Sequence, residues 1–572
     1  APLESNSLTT YLNRTFQAMG LPWSKDLNGG KMRGFNIFPA TINYEEYVRE
    51  DAARAYYWPY ESRENLHVLL NTFANRVVWA EGTGSGPATA KGVEVTLKTG
   101  AISTIGATKE VIVSAGALKT PAILELSGIG NPDILHKHNI SVKVDLPTVG
   151  ENLQDQTNSH MDASSNRTLS GGKPVSYPNI YDILGDEAET VGNKLRANLK
   201  KYAEESAKAN GNVMKAADLE RLFEVQYDLI FKKNTPVAEI LNYAADKTLS
   251  TEFWSLLPFA RGNVHIASAN PKQFPTINPN YFMFEWDVES FAAVGQYIRR
   301  SYETKPLSTL VKEATPGLKN VPQDASVEQW KEWVFDGNYR SNFHPVGTAA
   351  MMPRAMGGVV DNRLKVYGTS NVRVVDASAL PYQVCGHLVS TLYAVAERAA
   401  ELIKADAAAV GTSSSYDYIV IGGGTSGLTV ANRLSEDPNV NVLIIEAGDS
   451  VLNNPNVTTV DGYGLAFGTE IDWQYQSVNQ TYAGNVPQVL RAGKALAGTS
   501  AINGMAYTRA EDVQIDAWET IGNEGWTWKN LFPYYLKSEN FTKPTKTQLE
   551  LGASYNLEYN GENGPLNVAF TK

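Results

Sequence analysis

The chain has 572 residues, 43% of them hydrophobic and 19% charged, the make-up of a globular protein with room for roughly two to four domains. A net charge of -11 and a pI near 5.3 argue against nucleic acid and anionic membrane surfaces as partners. No apolar run reaches the about 18 residues that a membrane-spanning helix requires.

The first 60 residues begin polar, with helical spacing from Leu8 to Met19, turns near Asn28-Gly29-Gly30, and a short helix over Asp51 to Tyr57. Four β-rich runs follow: Leu66 to Leu70, Arg76 to Ala80, Gly92 to Leu97 and Glu110 to Val113. Between them Gly82 to Gly86 reads as a loose surface loop. The stretch Ser114 to Gly130 is rich in small residues, which let backbone approach backbone or a ligand. Within it Thr120-Pro121 has the form of a helix start. Leu146 to Asp155 is a second Gly/polar loop. Residues 166–235 are polar and helix-prone, a solvated helical face. Phe253 to Ile266 and Phe274 to Phe284 return to aromatic strands, and Asp324 to Val334 reads as an amphipathic helix.

Two histidine segments come next. His344 lies in Asn338-Tyr-Arg-Ser-Asn-Phe-His-Pro-Val-Gly-Thr348, and His387 opens the helical pattern Leu388 to Ile403. Either histidine alone is an ordinary structural residue; a neutral imidazole is also the side chain best suited to take a proton near neutral pH. Ala405 to Ser415 is small and polar, the composition of a linker or of joined ends.

Tyr416 to Ile421 is an apolar, β-rich run that leads into Gly422-x-Gly424-x-x-Gly427. Leu428, Ala431 and Leu434 then recur at helical spacing, and Val440 to Ile445 forms a second β-rich run ending on Glu446. Strand, glycine turn, helix, strand and acid together specify a dinucleotide-binding unit. Gly422 permits the turn, Gly424 lets backbone approach a pyrophosphate, and Gly427 allows close helix–sheet packing. The helix N-terminus with Thr425 and Ser426 offers free N–H groups to phosphate, and the Glu446 carboxylate accepts ribose hydroxyls. A second glycine-rich loop, Arg491 to Met505, enters a helix. No His-x-x-x-His pair or cysteine cluster is present, so no metal is expected; Cys385 is alone and no intrachain disulfide can form. Six Asn-x-Ser/Thr sequons, at Asn13, Asn139, Asn166, Asn456, Asn479 and Asn540, invite an extracellular, glycosylated reading without deciding it.

Four of these motifs, taken together, resemble the glucose–methanol–choline family of FAD oxidoreductases: the fingerprint with Glu446-Ala447-Gly448, the loop Arg491 to Met505, the loop Ser114 to Gly130, and the paired His344 and His387. Three stretches are similar to fungal FAD-dependent glucose dehydrogenases: Asn338 to Thr348, Asp461 to Gly468, and Phe253 to Gly262. The resemblance implies an α+β fold, with a Rossmann-like FAD-binding α/β domain and a substrate domain of antiparallel sheet flanked by helices. In the family the fingerprint lies near the N-terminus and the histidines near the C-terminus; here the order is reversed, as in a circular permutant or a chain written in rearranged order. The expected division is 63–165, 344–404 and 416–545 for the FAD domain, 166–343 for the substrate domain, 405–415 as linker, and 546–572 with 1–62 as one segment on the substrate side. Ala497 stands where the family loop carries Gly.

The resemblance further implies oxidation of β-D-glucose at C1 to glucono-1,5-lactone, with electrons passing to a quinone or dye; an oxygen-using oxidase is the alternative. His344 would be the general base and His387 its partner on the same hydroxyl. Arg340, Asn342, Glu252 and Tyr463 would hold the sugar. FAD would contact Gly422, Gly424, Thr425, Ser426, Gly427, Glu446, Ala447, Trp473, Arg491, Gly498, Asn503, Gly504, Met505 and Ala506. It would also contact Val77 at the adenine, Ala115, Asp376 and Ala377 at the pyrophosphate and ribityl, and Leu388 and Val389 at the ring. A nicotinamide dehydrogenase on the same fingerprint and a catalytically silent binding protein are the other readings to weigh.

Overall fold

The computed structural model describes residues 7–81, 86–406 and 416–572. One seven-stranded sheet is built around Tyr416–Ile421, the strand that precedes the glycine fingerprint. Its neighbours are Val442–Ile445 on one side, followed by Leu66–Leu69, and Ile102–Val113 on the other, all parallel. Val372–Val374 pairs with the end of Ile102–Val113, also parallel. The last four residues of the fingerprint strand are buried, as a strand covered on both faces must be, which is why it reads as a continuous apolar run. Ile102–Val113 joins the two halves of this sheet. Its first half closes an antiparallel meander with Ala90–Thr96 and Phe73–Trp79, and its second half joins the parallel strands. This strand is longer than the expected Glu110 to Val113, because the polar residues of its first half face solvent and leave no apolar signal.

The second sheet also has seven strands and every pairing in it is antiparallel: Gly34–Ile37, Pro174–Tyr177, Ala238–Ala245, Thr248–Ser255, Thr157–Ser165 and Val311–Thr315 in order, with Arg340–Ser341 also on Thr157–Ser165. The helix Glu285–Glu303 packs on it, with Phe291 against Phe253 at 4.9 Å between ring centroids. The helices Ala188–Ala209 and Ala216–Phe231 account for the polar stretch 166–235. This is the α+β architecture that the sequence implied.

Some local expectations change. Phe253 to Ile266 and Phe274 to Phe284 are strands only at Phe253–Ser255, Asn263–His265 and Thr276–Asn278; Pro258 and Pro279 cannot donate to a ladder. The loop Arg491 to Met505 forms a single 3-10 turn, Gly498–Ala501, rather than entering a helix. The segment 1–62 is divided. Gly34–Ile37 joins the substrate sheet, whereas Ala52–Tyr56 packs on the fingerprint helix Thr425–Leu434, where Asn432 Nδ2 donates to the Tyr56 carbonyl at 2.8 Å. The expected loop at Gly82 to Gly86 lies, save Gly86, outside the described residues, as does 407–415 of the expected linker. Ala405 and Asp406 are helical, closing Leu388–Asp406.

The two ends that flank 407–415 meet at one corner of the parallel sheet. Arg373, with no exposed surface, donates to Glu110 at 2.6 and 3.0 Å and to Asp406 at 2.6 Å. Glu110 stands in register with Tyr418, beside Asp417, which pairs with Lys109. Removing the guanidinium leaves a mostly buried Glu110 carboxylate without its cation, a loss of about 3–5 kcal/mol for a broken buried pair. Arg373→Met is therefore expected to lower unfolding stability by about 3 kcal/mol or more in a denaturant titration.

Candidate active site

A single elongated cavity of about 710 Å³ runs from Thr72–Ala74 to Glu252 and Tyr243. It crosses the carboxyl ends of the parallel strands at Ser114, Gly422 and Glu446, the position where open α/β sheets bind ligands. The walls near the fingerprint are bare backbone. A Cβ on Gly422 would stand 2.4 Å from the Ser114 carbonyl oxygen, one on Gly427 2.0 Å from the Gly422 oxygen, and one on Gly498 2.7 Å from the Gly424 Cα. Gly427 thus acts through helix packing and does not line the cavity. Glu446 accepts from Gly423 N at 2.8 Å and Gly448 N at 2.7 Å, and burial raises its pKa to about 7. Asp376 accepts from Gly116 N and from the Thr120 and Ser378 hydroxyls, fixing the small-residue loop on the opposite wall.

The expected cofactor residues Gly422, Gly424, Thr425, Ser426, Glu446, Ala447, Trp473, Arg491, Gly498, Asn503, Gly504, Met505, Ala506, Ala115, Asp376, Ala377, Leu388 and Val389 all line this cavity. Val77 does not. Its N–H is donated to Ser127 Oγ at 2.8 Å inside the core, and Thr72, Phe73 and Ala74, where the same strand begins, line the cavity instead. The cavity joins a glycine cradle, a helix N-terminus and a ribose-competent carboxylate in one groove, a donor set that fits FAD.

At the other end stand the two histidines, with ring centroids 5.7 Å apart. His344 Nδ1 lies 2.7 Å from Gln156 Oε1 and 3.0 Å from Asn342 Nδ2. Gln156 donates its own Nε2 to the Leu256 carbonyl, so Oε1 can only accept. The shorter contact favours a proton on Nδ1, with Asn342 Nδ2 then directed to Gln156 Oε1 at 3.4 Å instead; in that tautomer Nε2 is an acceptor without a protein partner among the described residues. Desolvation, then the neighbouring His387 and Arg340 charges, lower the His344 pKa to about 3 and keep the ring neutral. Its backbone is clamped by Asp155 Oδ1 and by Gln383 Nε2. His387 Nε2 lies 2.8 Å from a buried carboxylate, Glu239 Oε1, so that Nδ1 is the nitrogen left for another partner. Trp254 stands edge-on to both rings.

Glu252, Asn342 and Tyr463 reach the same end. Arg340, expected to touch a sugar, is instead drawn off the wall: it donates to Glu252 Oε2 at 3.1 Å and to the Ser341 carbonyl, with its guanidinium over the Phe343 ring. Asn342 spends its carbonyl oxygen on Asn158. Residues not foreseen are Gln156, Glu239, Trp254, Tyr243, Lys173 and Asp461. The alternation in Ala238–Ala245 carried part of that signal. Glu239 is in register with Trp254 and Leu241 with Glu252, so Glu239, Leu241 and Tyr243 share the face toward the cavity.

A dinucleotide fold whose groove ends on a neutral histidine and a carboxylate-held histidine defines a cofactor-dependent oxidoreductase. Sequence profiles of GMC oxidoreductases match 2–158 and 416–571 for the amino-terminal part and 258–396 for the carboxy-terminal part, and the chain belongs to that family. It is an FAD-dependent oxidoreductase whose amino-terminal half is split around its carboxy-terminal half. It is 42% identical over 404 residues to the glucose oxidase-like protein fsoC of Humicola fuscoatra, covering 70% of this chain and 68% of that protein. It is 35% identical over 399 residues to a glucose oxidase of Penicillium chrysogenum, covering 69% and 64%, so it spans less than two thirds of that relative's length. Among solved structures it is similar to an FAD-dependent oxidoreductase from Chaetomium thermophilum, with a TM-score of 0.62 at 26% identity over 69% of this chain and 71% of that one.

Ala497, buried in the second glycine loop, has a φ of +108°. That backbone region is strained for any residue with a Cβ, at a cost of about 1–3 kcal/mol. Ala497→Gly is expected to stabilise the protein by about 1 kcal/mol, seen as a higher unfolding midpoint at equal FAD content.

Proposed function

We propose that this protein oxidises β-D-glucose at C1 to glucono-1,5-lactone, with oxygen as the final electron acceptor. The observation that carries the reading is the bare Nε2 of a neutral, buried His344 at the end of a cofactor groove. Oxidising a hemiacetal carbon requires loss of the O1 proton and of a hydride from C1. When bound, FAD supplies the hydride acceptor. His344 Nε2 takes the O1 proton, and the Nδ1–H bond to Gln156 stabilises the imidazolium that results. His387, oriented by Glu239, holds the same hydroxyl through Nδ1. Trp254 supplies an apolar wall, and Glu252, Tyr243 and Tyr463 supply polar groups against which a sugar's hydroxyls are read. Arg340 serves this set from behind, by fixing Glu252.

Glucose and oxygen are favoured because relatives at 33–36% identity are glucose oxidases. A second reading, with a quinone or dye as acceptor, rests on Asn338 to Thr348, Asp461 to Gly468 and Phe253 to Gly262, which are similar to fungal glucose dehydrogenases.

An anaerobic visible spectrum before and after glucose, followed by air, tests both. Flavin bands at about 450 nm should bleach with glucose and return rapidly in air with equimolar peroxide. Bleaching with slow return in air, but rapid return with a quinone, moves the acceptor to the second reading; bands that never bleach remove glucose. His344→Ala should keep its flavin and lose at least roughly 100-fold in turnover.

A further inference from the structure

The loop Ala497–Met505 faces the cavity with one side and is held from the other by residues 41–52. Thr41 N donates to the Met505 carbonyl at 2.9 Å, and Ala52 N to Ser500 Oγ at 2.9 Å. Between them Arg49, 1% exposed, sends Nε to the Val457 carbonyl at 2.9 Å and Nη1 to the Ser500 and Asn503 carbonyls at 3.2 and 2.8 Å. Nη1 also reaches Asn503 Oδ1 at 2.7 Å. None of these partners is a carboxylate. No ion pair to Arg49 occurs among the described residues, and Asp51, the carboxylate whose charge reaches it, is spent on capping Ala52–Tyr56. Burial lowers the Arg49 pKa to about 10 against the opposing pull of the Asp51 charge, which still leaves the group charged near neutral pH.

The chemistry of Asn503 follows from its two neighbours. Arg49 and the Met505 N–H, at 3.0 Å, are both donors and both converge on Oδ1. The amide cannot flip without setting donors against a donor. Asn503 lines the cavity, so what it has left to offer there is its Nδ2 hydrogens.

We infer that Arg49 is a positioning residue for the flavin ring: it pins this loop from behind, fixes the Asn503 amide with its N–H₂ toward the cavity, and adds a buried positive charge, not held in an ion pair, that favours the electron-rich state of the bound flavin. The inference rests on the reading that the ring lies along Asn503–Met505. A fixed cation in a low-dielectric wall interacts with added electrons far more strongly than it would in water. A donor already aimed at the ring costs no reorganisation when charge arrives. The arrangement would therefore raise the reduction potential of the cofactor and make hydride transfer from the substrate more favourable.

The test is the two-electron midpoint potential of the bound flavin, measured by dye equilibration without substrate, together with flavin content. Arg49→Met removes the charge. Asn503→Asp keeps an acceptor for Arg49 and for the Met505 N–H, but removes the N–H₂ and neutralises the charge. Each variant should retain FAD with a potential lower by about 30 mV or more, a tenfold change for a two-electron couple. Ser500→Ala, which loosens the same loop without touching the charge, should leave the potential where it was. An unchanged potential in FAD-loaded Asn503→Asp overturns the inference, as does an equal drop in Ser500→Ala, which would make the effect one of loop looseness. If Arg49→Met is recovered without FAD, Asn503→Asp decides alone. Because no sugar enters the measurement, a failure here leaves the glucose reading standing, and failure of flavin bleaching by glucose leaves this one standing.

Discussion

The site depends on backbone meeting backbone without side chains between. The fingerprint turn at Gly422 rests on the Ser114 carbonyl, Gly427 rests on Gly422, Gly498 touches Gly424, and Gly493 in turn lies against the Gly498 carbonyl. Each contact leaves less room than a Cβ needs. Segments around residues 114, 424 and 495 are thereby locked into one cradle, and the helix N-terminus at Thr425 is aimed along it. Where one member of this set carries a methyl, at Ala497, the chain accepts a backbone conformation that glycine adopts more easily.

Such a lock is indifferent to chain order. The parallel ladder joins Tyr416–Ile421 to Val442–Ile445 and to Ile102–Val113, and requires only that the strands lie side by side. The corner where Arg373 ties Glu110 to Asp406 brings the end of the helix Leu388–Asp406 near the start of the fingerprint strand, whose Tyr418 is in register with Glu110 and whose Asp417 pairs with Lys109. A family profile split into 416–571 and 2–158 around 258–396 is the sequence-level trace of the same fact.

The reactive end uses burial differently from the cofactor end. Desolvation disfavours the charged form of His344 and so keeps it in the neutral state that the proposed role of a general base requires. His387 has a carboxylate of its own in Glu239, so two imidazoles 5.7 Å apart are held in different hydrogen-bonding states by their partners. Arg49 is the opposite case, a cation kept buried with carbonyl partners alone.

By itself the sequence determined the parts whose signal is local. Gly422-x-Gly424-x-x-Gly427 with its flanking strands and Glu446 specified the nucleotide half, because turn, helix dipole and strand all lie within about 30 consecutive residues. His387 at a helix start and the short helix at Asp51 to Tyr57, observed as Ala52–Tyr56, were legible for the same reason. The family resemblance added the histidine pair, the two-domain architecture and the rearranged order. Only the tertiary structure decided which groups those histidines face. Gln156, Glu239 and Trp254 come from three different strands or strand ends and carry no motif; they meet His344 and His387 through the register of an antiparallel sheet that pairs residues far apart in the chain. It also decided that Val77 points its N–H into the core rather than toward the cavity, and that Arg340 stands behind Glu252. A strand's sequence fixes which residues alternate; which of its two faces meets the cavity is set by the neighbours it packs against.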